Sequence, residues 1–166
     1  MKNKGLLLVV SAPSGCGKGT ILGEILKDDS FYYSISATTR APREGEQDGV
    51  NYHFITKEEF EQRIAQGGML EYAQYCGNYY GTPKKEVEQM RDAGRDVILE
   101  IEIQGAMKIK EKIPDTVLIF VTPPTIQELK DRLVGRGTET QEVIESRLKR
   151  ASEEAEGIES YDYLLV

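Results

Sequence analysis

The sequence predicts an α/β protein with a parallel sheet core flanked by helices. Three continuous aliphatic runs carry this prediction, over residues 5–11, 96–101 and 116–121. Runs of this kind are typical of strands that are buried on both faces of a parallel sheet. Segments with helical signals separate them, and this alternation is characteristic of the α/β class. A stretch of mixed α+β character, over about residues 35–95, interrupts the alternation.

The elements between these strands follow from capping and turn signals. Thr56 and Glu59 have the spacing of a capping box, as do Thr125 and Glu128, so a helix is expected to begin at each threonine. Pro83 is typical of the first position of a helix. The elements expected beyond the first strand are, in order, a helix over 18–28, strands over 33–36 and 51–55, a helix from 56 to 67, paired strands over 69–75 and 78–81, a helix from 82 to 94, strands over 96–101 and 116–121, helices from 125 to 133 and up to 156, and a strand over 163–166.

Length and composition exclude several classes of protein. The 166 residues are 39% hydrophobic and 30% charged, which suits a single globular domain with a sizeable core. No apolar run approaches the roughly 20 residues of a membrane span, so we expect no membrane partner. The net charge of −7 argues against a nucleic-acid partner. Cys16 and Cys76 lack CxxC spacing, so we expect neither zinc nor a disulfide, and a cytoplasmic location.

The turn between the first strand and the first helix has the composition of a phosphate-binding loop. The common pattern is G-x-x-x-x-G-K-[ST]; here Ala12 replaces the first glycine, Gly19 occupies the Ser/Thr position, and Thr20 follows one residue later. Glycines let backbone amides face an anion, the helix N-terminus favours negative charge, and Lys18 adds a cation. A plain glycine-rich turn is the alternative. The candidate ATP-binding residues are Ala12, Pro13, Ser14, Gly15, Cys16, Gly17, Lys18, Gly19 and Thr20.

A second cationic loop lies in the stretch ATTRAPREGEQDGVNYHF. Arg40 and Arg43 are three residues apart in a segment that Pro42 constrains. Guanidinium groups match phosphate oxygens in bidentate pairs, so two neighbouring arginines suit a phosphate dianion. Tyr52 and Tyr80 offer hydroxyl donors. Taken alone, such a loop is more often solvated surface.

The whole chain resembles the guanylate kinases, nucleoside monophosphate kinases that phosphorylate GMP with ATP. The glycine-rich loop is followed, in the family's order and spacing, by SATTRAPREGE, YCGNYYGTP, LEIEIQGA, VTPPT, LVGRGTET and YDYLLV. The resemblance implies a P-loop NTPase fold with three parts, which are a core (about 1–34, 96–130 and 157–166), a GMP-binding insertion (about 35–95) and a helical lid (about 131–156). Family members usually continue into a C-terminal helix, which we expect to be absent because this chain ends at Val166.

The resemblance also implies roles for individual residues. The GMP site would be lined by Ser36, Arg40, Arg43, Tyr52, Glu71, Tyr80, Thr82 and Glu100, and the catalytic set would be Lys18, Arg40, Arg43, Arg136 and Arg147. The last two would close over ATP from the lid. Mg²⁺ would arrive on ATP, with Thr20, Glu100 or Glu102 as candidate contacts. The expected partners are ATP and GMP, and the expected state is a monomer or small homo-oligomer.

The hydrogen-bonding groups of the purine bases indicate which side chain selects guanine. Guanine presents two adjacent donors, N1–H and the 2-amino group, that one carboxylate can accept together, whereas adenine presents an acceptor at N1. Glu71 is therefore the expected selector, assisted by Glu100, with Ser36 and Thr82 as hydroxyl partners. A kinase for AMP or a pyrimidine nucleotide would lack this set. A guanylate-kinase-like scaffold module that binds phosphopeptides should lack the cationic side chains of the phosphate-binding loop and the lid. This chain has Lys18, Arg136 and Arg147 at those places.

Overall fold

The computed structural model describes residues 3–13, 15–135, 137 and 140–166. The strands in these residues are β1 (Leu7–Ser11), β2 (Phe31–Tyr33), β3 (Ala37–Thr38), β4 (His53–Phe54), β5 (Met69–Tyr75), β6 (Asn78–Pro83), β7 (Asp96–Glu100), β8 (Val117–Val121) and β9 (Tyr163–Leu165). The α-helices are α1 (Lys18–Ile25), α2 (Lys57–Ala65), α3 (Lys84–Asp92), α4 (Ile103–Lys112), α5 (Ile126–Gly135) and α6 (Gln141–Ala155), and a short 3₁₀ helix spans Ile158–Ser160.

A five-stranded parallel sheet forms the core, in the order β2-β7-β1-β8-β9. The central strand β1 lies between β7 and β8, and Val9 pairs with Leu99 on one side and Leu118 on the other. All three side chains are at most 1% exposed, as expected of strands covered on both faces. The predicted α/β class, with a parallel sheet flanked by helices, is confirmed.

A separate four-stranded sheet has the order β4-β3-β6-β5. β6 is antiparallel to both β3 and β5, while β3 and β4 are parallel. Helix α2 covers this sheet with Phe60, which is fully buried and stacks on Tyr79 with ring centroids 5.0 Å apart. Thr56 caps α2 by accepting from the amide of Glu59, as the capping box predicts. The boundaries of the core, insertion and lid remain predictions.

Helix α4 was missed by the sequence reasoning, and it connects the two sheets. It packs against β5 of the smaller sheet and against β1 and β8 of the core. Its buried residues are Gly105, Ala106 and Ile109. The spacing of Ile103, Ala106 and Ile109, with Pro114 beyond the helix end, is a helical signal that could have found it.

Two other expectations need correction. The strand expected over 33–36 is divided: Phe31–Tyr33 joins the core sheet and Ala37–Thr38 the smaller one, so the chain crosses between sheets here. Pro83 is not the first helical residue, because its φ and ψ of −61° and 123° are extended and it closes β6. Proline fixes only φ, so both conformations are open to it. No helix among the described residues is long and apolar enough to cross a membrane.

Candidate active site

The glycine-rich loop joins the carboxyl end of β1 to the first turn of α1, the end of a parallel strand where α/β proteins bind ligands. Gly15 and Gly17 have φ of +93° and +88°, which side-chain-bearing residues rarely adopt. Gly17 caps α1 without a side-chain hydrogen bond. The amides of the first helical turn, at Lys18 and Gly19, therefore suit an anion.

A cavity of about 900 Å³ opens over this loop. Eight of the nine predicted ATP-binding residues line it: Ala12, Pro13, Gly15, Cys16, Gly17, Lys18, Gly19 and Thr20. Ser14 and Arg136, which the sequence also assigned to nucleotide binding, lie outside the described residues. Arg147, on α6, is distant from the loop in sequence but lines the same cavity. The structure thus brings most of the residues that were predicted to bind ATP around one cavity.

The Lys18 ammonium lies 3.1 Å from Oε1 of Glu100, at the end of β7. The hydroxyl of Tyr33 donates to Oε2 of the same carboxylate at 2.8 Å. Burial, together with the Glu100 charge, raises the pKa of Tyr33, so its hydroxyl remains a donor at neutral pH. Glu100, predicted for the GMP site, also lines the cavity over the loop. It therefore stands where the two predicted sites meet.

Arg150 also lines this cavity and was not predicted. Its guanidinium lies 3.2 Å from Glu102 and 3.0 Å from Glu154, and 5.3 Å from the ring centre of Tyr75. These contacts join α6 to the start of α4 and to the end of β5. The spacing of Arg147, Arg150 and Glu154 along one helix face was the signal available in the sequence.

The thiol of Cys16 is buried among α5 and α6 side chains. Burial raises its pKa to about 11, which leaves it protonated near neutral pH. A protonated thiol is a poor nucleophile, so Cys16 serves as a small side chain within the loop. Cys76, in contrast, is exposed at the turn between β5 and β6, and both thiols are free.

On the acceptor side, Arg40 forms a bidentate ion pair with Glu46, with both N···O distances at 2.9 Å. Glu46 also accepts from the backbone amide of Arg43 at 2.7 Å. These bonds, with the Arg40 hydrogen bond foremost, lower the pKa of Glu46 and keep it ionised. Glu46 was not predicted. As the second glutamate of REGE, it lies between the two arginines and Tyr52 in the sequence, and this position was the signal available for it.

The Arg40 guanidinium lies beside two aromatic rings of the smaller sheet and its loop. It is 5.5 Å from the ring centre of Tyr52 and 5.8 Å from that of Phe54. Tyr52 and Tyr80 contact each other edge to face, with centroids 6.1 Å apart. The structure thus groups Arg40, Tyr52 and Tyr80 as predicted, while the side chain of Arg43 is exposed.

Glu71 is buried, with 5% of its surface exposed, although a strand carboxylate is usually solvated. The Thr82 hydroxyl, 1% exposed, donates to its Oε1 at 2.8 Å. Burial raises the pKa of Glu71, and this hydrogen bond partly offsets the effect. Lys108 and Lys112 on α4 act in the same direction as Thr82. Because a buried carboxylate is costly unless it is paired, this one is suited to reading donors on a ligand.

Ser36, predicted for the GMP site, and His53 are joined by a backbone hydrogen bond at the edge of the smaller sheet. The carbonyl oxygen of Ser36 accepts from the amide of His53 at 2.9 Å, where the chain passes between the sheets. His53 lies 3.7 Å from Glu86, and the described residues form no cluster of three or more His, Cys, Asp or Glu side chains that could hold a metal ion there. It therefore belongs to the fold of the smaller sheet.

A glycine-rich loop of the phosphate-binding type joins a parallel strand to a helix, and the same chain has a cationic, aromatic loop and a buried carboxylate. This combination is that of a P-loop phosphotransferase. The comparisons agree. The guanylate kinase family model matches residues 4–166. The chain belongs to the guanylate kinase family, and its enzyme class is that of the nucleoside monophosphate kinases.

Individual relatives are similar along the whole chain. A guanylate kinase of Latilactobacillus sakei is 56% identical over 168 aligned positions, which cover 100% of this chain and 83% of that protein. One of Streptococcus mutans is 58% identical, with 100% and 80% covered. The crystal structure of guanylate kinase from Anaplasma phagocytophilum superposes with a TM-score of 0.79 at 37% identity, covering 99% of this chain and 78% of that one.

Proposed function

We propose that this protein transfers the γ-phosphoryl group of ATP to GMP, giving ADP and GDP, and that it also accepts dGMP. The reaction would serve purine nucleotide metabolism and the recycling of GMP. Family membership supports the reaction class. The buried pair of Glu71 and Thr82 is the observation that supports GMP as the phosphoryl acceptor.

The carboxylate of Glu71 is a pure acceptor when ionised, and Thr82 occupies only one lone pair of Oε1. The remaining lone pairs match the N1–H and 2-amino donors of guanine. Adenine would place a lone pair against the same oxygens, and a buried polar group left unpaired costs about 1–3 kcal/mol, and more when charged. A carboxylate in this position therefore selects guanine over adenine.

The GMP phosphate would lie at Arg40, Arg43, Tyr52 and Tyr80. Arg40 is suited to it because Glu46 and two aromatic rings already fix its guanidinium. Fixed donors need no reorganisation when the phosphate arrives, which favours reaction as well as binding. An oxygen of this phosphate then attacks the γ-phosphorus in line. No covalent intermediate or dedicated base is needed, since the phosphate is already ionised.

The ATP phosphates would lie on the loop amides with Lys18. Glu100, which accepts from the Tyr33 hydroxyl, holds the Lys18 ammonium in the cavity, where the ammonium can exchange a carboxylate oxygen for a phosphate oxygen. Arg147, and Arg136 on sequence grounds alone, would offset the charge that gathers during transfer. An arginine in this role can be worth about 10³- to 10⁵-fold in rate.

Magnesium would enter as part of the ATP substrate. The described residues bring together no group of three or more His, Cys, Asp or Glu side chains suited to a metal ion. Thr20 and Glu102 line the cavity with oxygen atoms, the ligand type that Mg²⁺ prefers. One or two protein oxygens suit an ion held chiefly by phosphate and water, so these two residues fit. Bound there, Mg²⁺ would neutralise phosphate charge.

Closure over both nucleotides would exclude water, because otherwise ATP would be hydrolysed. We propose that the lid and the insertion supply this closure, that Gly135 and Gly137 give it freedom, and that the protein works as a monomer or small homo-oligomer without nucleic-acid or membrane partners. The two free thiols suit a reducing, cytoplasmic location.

The test is a coupled assay of ADP formation with Mg-ATP and each of GMP, AMP, CMP and UMP. The proposal predicts turnover with GMP far above that with the other three. Preference for AMP or a pyrimidine nucleotide would refute the assignment of the acceptor. Absence of turnover, combined with binding of a phosphopeptide, would favour a scaffold module instead.

A further inference from the structure

Gly105, in the first turns of α4, is a glycine whose backbone does not require one. Its φ is not positive, so a side chain would be conformationally acceptable, and glycine inside a helix is destabilising. The reason for glycine must therefore lie in its surroundings. A Cβ at this position would lie 2.9 Å from Oε2 of Glu71 and 3.3 Å from its carboxyl carbon.

The contact is specific to this glycine. Gly23, also inside a helix, has no atom within 4 Å of the position its Cβ would take. At Gly105 the helix cannot easily withdraw, because Ala106 and Ile109 are buried against the sheets. The group most able to move is thus the Glu71 carboxylate, which ends a flexible side chain.

The Glu71 carboxylate is confined from two directions. Thr82 holds Oε1 by a hydrogen bond of 2.8 Å, and the bare Cα of Gly105 faces Oε2. A methyl group at position 105 would force the carboxylate to shift, because a Cβ only 2.9 Å from Oε2 is closer than real Cβ atoms approach. The fold can absorb such a shift, but a pair of hydrogen bonds to a rigid base edge cannot.

We infer that Gly105 is a specificity-determining positioning residue: by lacking a side chain, it lets α4 fix the Glu71 carboxylate where it reads the 2-amino group of the purine. The inference rests on the proposed function, since it assigns Glu71 to guanine. Gly105 itself touches no substrate atom in this scheme and acts only through Glu71.

The test compares Gly105→Ala with Gly23→Ala, the same substitution in a helix with open space. Each variant is assayed with GMP and with IMP, which keeps N1–H but lacks the 2-amino group. Gly105→Ala should raise the KM for GMP, lower the ratio of kcat/KM for GMP over IMP by about tenfold, and leave kcat nearly unchanged. Gly23→Ala should keep the wild-type ratio.

A double-mutant cycle separates action through Glu71 from a general disturbance. In a Glu71→Gln background, Gly105→Ala should cause a smaller further loss of GMP-over-IMP discrimination than it causes in the wild type, because the displaced amide can no longer accept from both donors of guanine. In a Glu71→Ala background the shortest contact of the added methyl is removed, and the remaining close atom is Cδ1 of Ile101 at 3.3 Å, the end of a flexible side chain. The double variant should therefore melt at or above the temperature of Glu71→Ala alone.

Three results would overturn the inference: a wild-type GMP-over-IMP ratio in Gly105→Ala, additive losses in the Glu71→Gln cycle, or failure of Gly105→Ala to fold even without the Glu71 carboxylate. The proposed function fails differently. If the wild-type protein itself does not prefer GMP, the acceptor assignment is wrong, whatever Gly105 does.

Discussion

Replacing Glu71 with glutamine removes one acceptor oxygen and adds an amino donor while keeping the shape of the side chain. The Thr82 hydroxyl can donate to the amide oxygen or accept from the amino group, so the fold tolerates either orientation. Guanine does not, because its two adjacent donors then meet one acceptor and one donor. At least one charge-assisted hydrogen bond is lost in either orientation.

The size of the effect follows from that count. A hydrogen bond to a charged group contributes about 1.5–3 kcal/mol, and a difference of about 1.4 kcal/mol corresponds to a factor of ten. Glu71→Gln should therefore raise the KM for GMP by about 10- to 150-fold. Because the base contact is the same in the ground and transition states, kcat should change little. Turnover of AMP should rise relative to GMP, since glutamine can donate to N1 of adenine.

The assay is steady-state kinetics with GMP and AMP as acceptors at saturating Mg-ATP. Glu111→Gln, an exposed glutamate on α4, is the matched control and should behave as the wild-type protein. Unchanged GMP kinetics in Glu71→Gln would remove Glu71 from the acceptor site. An equal fall in kcat and in kcat/KM would place the contact in the transition state alone and would also refute the reasoning.

Three further predictions concern the donor loop, the acceptor loop and pH. Lys18→Ala should lower kcat by about 10²-fold or more while the circular dichroism spectrum is retained, because a charge at the phosphates is lost and not a core contact; an active variant would contradict this. Glu46→Gln should raise the KM for GMP about tenfold, because Arg40 would lose the carboxylate that fixes its guanidinium. Glu44→Gln, at an exposed neighbouring position, should leave the KM unchanged. Equal effects in the two variants would refute the role of Glu46 in positioning Arg40. Since burial raises the pKa of Glu71 above 4.5, its ionisation disfavours the folded state. The melting temperature of the wild-type protein relative to Glu71→Gln should therefore fall as pH rises from 4.5 through the pKa of the folded protein, and an opposite slope would contradict the burial argument.

The sequence was most informative where local physics decides the structure. The run that forms β1, the glycines that require positive φ and the cap at Thr56 each depend on neighbouring residues, so their patterns could be interpreted directly. The paired strands β5 and β6 were equally clear, because Gly77 marks the turn between them.

The missed features depend on contacts distant in sequence. Helix α4 is short of strong capping signals, and its apolar face is defined by burial against two sheets. The division of residues 31–38 between the sheets follows from pairing with β7 and β6, which no local pattern contains. The pairing of Arg40 with Glu46 is local, six residues apart, but it depends on the loop conformation that brings the two side chains together.

The most direct measurement of the central claim is the balance of products from Mg-ATP and GMP, separated by chromatography. Transfer predicts ADP and GDP in equal amounts, with GDP absent when GMP is omitted and no excess of inorganic phosphate. Formation of ADP and inorganic phosphate without GDP would show hydrolysis and would contradict the account.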